Sequence, residues 1–303
     1  MQKPIVVVGS INMDLVARTH HIPRPGQTVS GTGFETTPGG KGANQAVAAA
    51  RLGYRVEMVG MVGEDVFGQA LLDNLRSAGV GTAAVERVSG PSGVAPILLA
   101  DSGENSIVVV PGANGKVDPA CVDRHAELIR SAGMVLCQLE LPMDTVSHVL
   151  ALCAEAGVPV MLDPAPAAPL PDMTWSQVAW FTPNETEAGF FLNNESKAED
   201  AAKQLLSKGL RGVVLKRGAE GVYLAIAGGE AGWVRAFPVE AVNTVGAGDC
   251  FNGAFAAALL EGLDAFQAAR FASAAAAISV TRPGAQSSMP NRVEVDDFLA
   301  AHA

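Results

Sequence analysis

Short runs of aliphatic residues recur along this chain with amphipathic stretches between them, and that alternation constrains the fold more than any other feature. Ile5 to Val8 is an unbroken β-branched run, and Val56 to Val62, Met134 to Gln138, Val158 to Leu162 and Val213 to Lys216 repeat the pattern. Runs apolar on both faces mark strands buried inside a parallel sheet. The intervening stretches Phe67 to Ala78, Pro119 to Ser131 and Thr145 to Glu155 read as helices. Strand and helix in turn predict an α/β fold, a doubly wound and mostly parallel sheet flanked by helices. Residues 14–37 and 93–111 break the rhythm. They are too polar in part for a central sheet and read as short extended pieces that either pair with each other or stand as two surface hairpins. No repeat, low-complexity tail or linker divides the 303 residues, so a single domain is expected, with Ala272 to Ala277 inside a closely packed helix.

Composition narrows the class of partner. Hydrophobic residues make up 49% of the chain, enough for a sizeable core. A net charge of -10 argues against nucleic acid or an anionic membrane, either of which calls for a basic patch. Cys121, Cys137, Cys153 and Cys250 form no Cys-x-x-Cys pair, so neither a zinc nor a redox motif is indicated, and they read as reduced core thiols. No stretch approaches the roughly 18 unbroken apolar residues of a membrane span, and no signal peptide precedes the first strand. A cytoplasmic protein is expected.

The chemistry concentrates in two glycine-rich segments. Asn243-Thr244-Val245-Gly246-Ala247-Gly248-Asp249, followed by the apolar run Cys250 to Leu260, places bare backbone amides and a carboxylate at a helix start. Gly246, Ala247 and Gly248 leave the main chain open to an anion, and the helix dipole adds positive potential there. Asp249 is unsuited to binding that anion. It fits a base that takes a proton from an attacking hydroxyl while the amides stabilise charge on phosphoryl oxygens; the alternative is an Asp that merely caps the helix. Near the N-terminus, Gly9-Ser10-Ile11-Asn12-Met13-Asp14 leaves the first strand at its carboxyl end, where open α/β sheets bind ligands, and Asn12 and Asp14 suit a small polyol. Pro38 to Ala46 then carries Gly39-Gly40-Lys41-Gly42-Ala43-Asn44. A P-loop is excluded, because Glu35 stands where that pattern needs Gly and Gly42 where it needs Ser or Thr. The glycines fit a backbone closing on a sugar, with Lys41 and Asn44 as donors, or a glycine-punctuated helix start.

Together with Gln138-Leu139-Glu140, Asp163-Pro164-Ala165-Pro166, Thr182 to Glu187 and Thr281 to Gln286, these motifs resemble, in order, the ribokinase family of PfkB-type carbohydrate kinases over nearly all of the chain. The resemblance implies a ribokinase-like fold in which 14–37 and 93–111 form a small β lid that covers the sugar and mediates a homodimer. It assigns Asn12, Asp14, Gly40, Lys41, Asn44 and Glu140 to the sugar and Asp249 to the base. Asn184 and Glu187 match an Asn-x-x-Glu element that organises Mg²⁺ and the phosphates, Glu187 acting through water. The same two residues could simply form a capping box. Lys216, Arg217, Gly218 and Gly221 align with the nucleotide loop, Gly248 with the anion hole, and Ser273 with the adenine pocket. Lys216-Arg217 departs from relatives that carry uncharged residues there.

A monovalent cation, K⁺, would fall to Asn243, Val245, Ser279, Arg282, Gly284 and Ser288. Relatives usually carry Asp where Asn243 stands, which puts K⁺ dependence in question. The implied activity is ATP-dependent phosphorylation of a pentose, D-ribose at O5. The alternatives are kinases of the same family acting on deoxyribose, a nucleoside, a ketohexose or a keto-deoxy sugar acid, and a catalytically idle sugar or nucleotide sensor.

Overall fold

The computed structural model describes residues 2–193 and 196–302. The chain opens with β1 (Ile5–Val8), β2 (Asn12–Thr19), β3 (Gly31–Gly39), α1 (Lys41–Arg51), β4 (Val56–Gly63), α2 (Val66–Ser77), β5 (Val80–Val88), β6 (Gly93–Ala100) and β7 (Asn105–Ile107). Helices α3 (Pro119–Arg124) and α4 (Ala126–Arg130) lead to β8 (Met134–Gln138), α5 (Met143–Ala156), β9 (Val160–Asp163) and β10 (Trp180–Phe181). Then come α6 (Glu185–Leu192), α7 (Ala198–Ser207), β11 (Gly212–Lys216), β12 (Gly221–Ile226), β13 (Ala231–Arg235), α8 (Ala247–Leu260), α9 (Ala265–Val280) and α10 (Arg292–Ala301).

Nine strands form the main sheet in the order β13-β12-β11-β10-β9-β8-β1-β4-β5. From β11 to β5 the neighbours run parallel, and β12 and β13 add an antiparallel edge. The four residues of β1 are fully buried and divide by the two-residue period of a strand. Ile5 and Val7 enter the core under α1, α8 and α9, and Val6 and Val8 enter the core under α3, α5 and α7. This is the doubly wound sheet that the apolar runs predict.

Two expected boundaries shift, each for a local reason. The helix expected over 119–131 is broken at His125 (φ -110, ψ 15), whose ring reaches Glu86 at 3.0 Å. The strand expected from Val158 starts at Val160, because Pro159 lacks the N–H that a central strand needs and Val158 donates back to the Cys153 carbonyl.

The two irregular segments pair with each other. They form a separate four-stranded sheet, β3-β2-β6-β7, in which β2 is antiparallel to β3 and parallel to β6. This sheet is longer than residues 14–37 suggest, because β2 starts at Asn12 and β3 ends at Gly39. Asn12 and Asp14 therefore sit on the small sheet, where the chain crosses over from the main one. No helix among the described residues is long and apolar enough to cross a membrane.

Helices α1 and α8 approach closely enough to exclude a side chain at Gly253. A Cβ there would lie 2.5 Å from the Gln45 carbonyl and 2.7 Å from the Ala48 Cβ. That contact brings the start of α8 against α1, and overfilling such a seam typically costs about 1–3 kcal/mol.

Candidate active site

Parallel strands release their polar residues at one edge of the sheet. Ser10 follows β1, Gln138 ends β8 with Glu140 just beyond, Asp163 ends β9, Asn184 follows β10 and Lys216 ends β11. The small sheet adds Asn12 and Asp14, and the starts of α1 and α8 meet the same edge.

The start of α8 decides what Asp249 is for. Gly246 is the left-handed N-cap (φ 76), and the cap carries no side-chain hydrogen bond. Asp249 is buried and turned across to α1, where Asn44 Nδ2 donates to its Oδ2 at 2.9 Å and Gln45 Nε2 to its Oδ1 at 3.1 Å. The capping alternative is excluded. Burial, the largest influence, and the nearby Asp163 raise the Asp249 pKa, against the opposing pull of Lys41, Asn44 and Gln45. One correction concerns the amides. The Ala247 N–H donates to the Thr244 carbonyl at 3.2 Å, so the helix-start N–H groups left open to an anion, among the described residues, belong to Gly246, Gly248 and Asp249.

On the other side of Asp249 the first strand and α1 interlock. Glu140 accepts from Ser10 Oγ and from the Lys41 backbone N–H at 3.1 Å. It thus holds the first turn of α1 and is not a solvated carboxylate. Gly40 (φ 88) is required by the close passage of the segment 10–12, since a Cβ would come within 2.7 Å of the Asn12 nitrogen. Asn12 is buried, and its Oδ1 accepts from Asn114 Nδ2 at 2.6 Å. Asp14 fills the space beside Gly39, where a Cβ would meet its carboxylate. Burial first, then the charges of Glu140 and Asp249, push the Asp14 pKa up to about 7. Burial opposes the charge of Lys41, but Asp249, Asp163, Glu140 and Glu187 outweigh it and raise its pKa.

Towards the β11 side, Asn184 and Glu187 form the complete capping box of α6: Asn184 Oδ1 accepts from the Glu187 N–H, and Glu187 accepts from the Asn184 N–H and Nδ2. The structural role is real, and it leaves spare lone pairs on a buried carboxylate. Lys216 Nζ pairs with Asp163 Oδ1 at 3.0 Å and lies 3.4 Å from where a Cβ on Gly248 would sit, so this cation belongs to the start of α8. Arg217 does not join it. Its guanidinium pairs instead with Glu185 and Glu220.

Gly221 also serves the fold, because a Cβ would strike the Val234 carbonyl at 2.2 Å. Gly218 (φ 53) has open space around it. Ser273 on α9 is buried, with no hydrogen-bond partner for its Oγ among the described residues. Around the loop before α8, Asn243 Oδ1 accepts from the Val245 N–H, Ser279 and Ser288 donate to local carbonyls, and Arg282 pairs with Glu294. Among the described residues the carbonyls of Asn243, Val245, Arg282 and Gly284 accept no hydrogen bond, which leaves oxygens suited to a monovalent cation.

Sequence reasoning passed over several residues that organise this site. Gln138, Asp163 and Gln286 stand inside motifs already singled out, but nothing in the motifs gives their bonds. Gln45 follows Asn44 and bonds Asp163 and Asp249 together. Asn114 has no sequence signal at all. A separate knot at the sheet edge unites Glu86, Cys121 and His125, donor types that can bind metal. Arg124 takes both Glu86 oxygens, at 2.9 and 2.8 Å, and burial pushes the Cys121 thiol up to about 11. The knot is an ion-paired brace between β5 and α3.

The profile of the pfkB family carbohydrate kinases matches residues 2–292. The chain belongs to this family. It is 46% identical over 301 residues to a ribokinase of Bacillus subtilis, covering 98% of this chain and 99% of that one. A deoxyribokinase of Salmonella typhi is 38% identical over 302 residues, covering 98% of each. The structure of an Arabidopsis thaliana ribokinase complexed with ribose and ATP superposes with a TM-score of 0.93 at 37% identity, covering 99% of each chain.

The Asp14 shift predicts a pH-dependent stability in the ligand-free protein. Its pKa is raised on folding, so its contribution is full below about 4 and is lost as pH rises through about 7. Asp14→Asn should therefore raise the Tm at pH 8 relative to the wild type, and the gain should vanish near pH 4. Thermal unfolding across pH checks this, and an equal gain at both pH values would contradict it.

Proposed function

We infer that this chain transfers the γ-phosphoryl group of ATP to the primary hydroxyl of a pentose, D-ribose at O5. The observation that carries the reading is Asp249: a buried carboxylate at the amide-bearing start of α8, free of any capping bond. In the transfer, O5 forms a bond to the γ-phosphorus as the bond from phosphorus to the β,γ-bridging oxygen breaks, ADP leaves, and Asp249 receives the hydroxyl proton. Asn12, Asp14, Gly40, Lys41, Asn44 and Glu140 orient the sugar, with the acceptor-only carboxylates taking its hydroxyls. Asn44 keeps one amide hydrogen for this task, since it gives one to Asp249. The amides of Gly246, Gly248 and Asp249 and the cation of Lys216 stabilise charge on the phosphoryl oxygens, and catalysis rests mainly on positioning.

Gly218, Ser273 and Asn184 line the nucleotide's approach in this reading. Glu187, with both oxygens already bonded, holds the waters of Mg²⁺ through its spare lone pairs. Mg²⁺ held there would neutralise phosphate charge. The bare carbonyls around Gly284 and the Asn243 side chain fit K⁺, with a weaker grip than a carboxylate would give.

Deoxyribose is the second reading, favoured by the 38% identity to the Salmonella typhi deoxyribokinase. A panel of sugars assayed for ATP consumption, with the phosphate position mapped in each product, separates the two. A site built to bond the 2-hydroxyl rejects the sugar lacking it. An idle sensor is disfavoured by the presence of Asp249 beside an intact Gly246-Ala247-Gly248 turn. The small sheet acts as a lid over the sugar, and its outer face, with Phe34 at 69% and Val108 at 60% exposure, suits a second copy of the chain. Four unpaired, buried thiols and ATP as donor fit the cytoplasm, which cell fractionation checks.

Three outcomes test this account. Asp249→Asn should lower kcat by about 10²- to 10⁴-fold while leaving the fold and ATP binding intact; near wild-type turnover would exclude Asp249 as the base. Activity should rise with K⁺, and Asn243→Asp should lower the K⁺ needed for half-activation. Equal rates in K⁺-free and K⁺-rich buffer would remove the cation site. Light scattering should give a dimer that Phe34→Asp converts to monomers, whereas a wild-type monomer would overturn the assembly.

A further inference from the structure

Two chains of side-chain amides converge on Asp249, one on each oxygen, and each runs in a single direction. From α2, Asn74 Nδ2 donates to Gln286 Oε1 at 2.6 Å, Gln286 Nε2 to Asn44 Oδ1 at 3.0 Å, and Asn44 Nδ2 to Asp249 Oδ2 at 2.9 Å. From β8, Gln138 Nε2 donates to Gln45 Oε1 at 2.8 Å. Because Gln45 spends its oxygen on Gln138, its NH₂ must face the other way, where one hydrogen goes to Asp249 Oδ1 at 3.1 Å and the other to Asp163 Oδ2 at 2.9 Å. Asp163 in turn holds Lys216, the cation beside Gly248.

Gln45 is thus a buried fork between two carboxylates whose mutual repulsion it relieves, and it ties the hydroxyl side of the site to the phosphoryl side. Gln138 is oriented by the same logic, since its NH₂ must face the Gln45 oxygen, and its Oε1, packed beside Gly9, has no hydrogen-bond partner among the described residues.

Resting on the reading of Asp249 as base, we propose that Gln45 is a positioning residue for phosphoryl transfer: it fixes the Asp249 carboxylate in register with the Asp163–Lys216 pair before either substrate arrives. It touches neither sugar nor nucleotide. Its loss should therefore appear in turnover and in the ionisation of the base, not in substrate affinity. The groups facing Asp249 are Lys41 and Asn44 of α1, Asp163 at the end of β9, Asp14 of β2 and the Cys250 thiol on α8 itself; Glu140 and Glu187 act on it through Lys41, and Lys216 through Asp163. Gln45 is one of the influences that lower the Asp249 pKa, so its removal moves the acidic limb of the kcat profile to higher pH.

The experiment compares wild type, Gln45→Met, Gln45→Glu and Asp249→Asn for kcat, for both KM values and for the pH profile. A misplaced reacting group costs up to about 100-fold, so Gln45→Met should lower kcat about 10- to 100-fold, with each KM within about threefold and the acidic limb raised. Gln45→Glu keeps the shape and the Gln138 bond but sets an acceptor where both carboxylates need a donor, and should do no better. A folded Gln45 variant with kcat within about threefold of wild type and an unmoved limb overturns the proposal, as does a fall carried by KM alone. If both variants fail to fold by circular dichroism, Gln138→Met leaves the Gln45 amide present but free to rotate; it should raise the limb in the same sense, and an unmoved limb is decisive against the proposal. An active Asp249→Asn would sink the base assignment. An inactive Asp249→Asn beside a near-normal Gln45→Met sinks only the role of Gln45.

Discussion

Burying a carboxylate without a direct ion pair is costly, and the centre of this molecule is organised around meeting that cost for Asp249. Both of its oxygens receive amide hydrogens from α1, and the nearby charge of Lys41 opposes the effect of burial. These donors reach it only because α1 and α8 lie close enough that Gly253 admits no side chain. At that seam Gly253 lies against Gln45, Ala48 and Ala49 of α1, and both alanines are buried. Small residues at a helix seam are thus part of the site's electrostatics: a wider seam would strand the carboxylate.

The sheet was legible in the sequence because buried parallel strands read as unbroken aliphatic runs, and β1, β4, β8 and β11 lie where those runs fall. The break at His125 was not legible, since the local sequence has no Gly or Pro and the cause is a contact with Glu86 on a distant strand. The same distinction applies to the site. Asp249, Asn44 and Lys216 stand in or beside glycine-rich motifs, whose backbone demands leave a trace in composition, whereas Glu140 came from the resemblance alone. Gln45, Asn114 and Gln286 work through bonds to residues tens to hundreds of positions away, and a lone amide side chain in a helix or turn gives no hint of such a partner. Arg217 shows the converse: a cation in the right motif is paired with Glu220, three residues on, and with Glu185 at the start of α6, a partner its own motif does not announce.

Structural and chemical demands coincide at several positions. The Asn184–Glu187 box starts α6 and also leaves a buried carboxylate near Lys216 and Lys41. Glu140 fastens the first turn of α1 and acts on both Lys41 and Asp14. Such double use makes each residue hard to replace, because a change that spares the chemistry can still loosen a helix start.

Asn114 grips the crossover between the two sheets from both sides, accepting from the Ile11 N–H and donating to the Ile11 carbonyl and to Asn12. The grip fastens that crossover with three hydrogen bonds. Ile11 and Asn12 are thereby fixed where the chain leaves β1 for β2, at the root of the small sheet, while Phe34 on β3 pairs with Ala17 near its far end. The residue proposed to meet the sugar from the small sheet is thus anchored from the side of the main sheet, through Asn114.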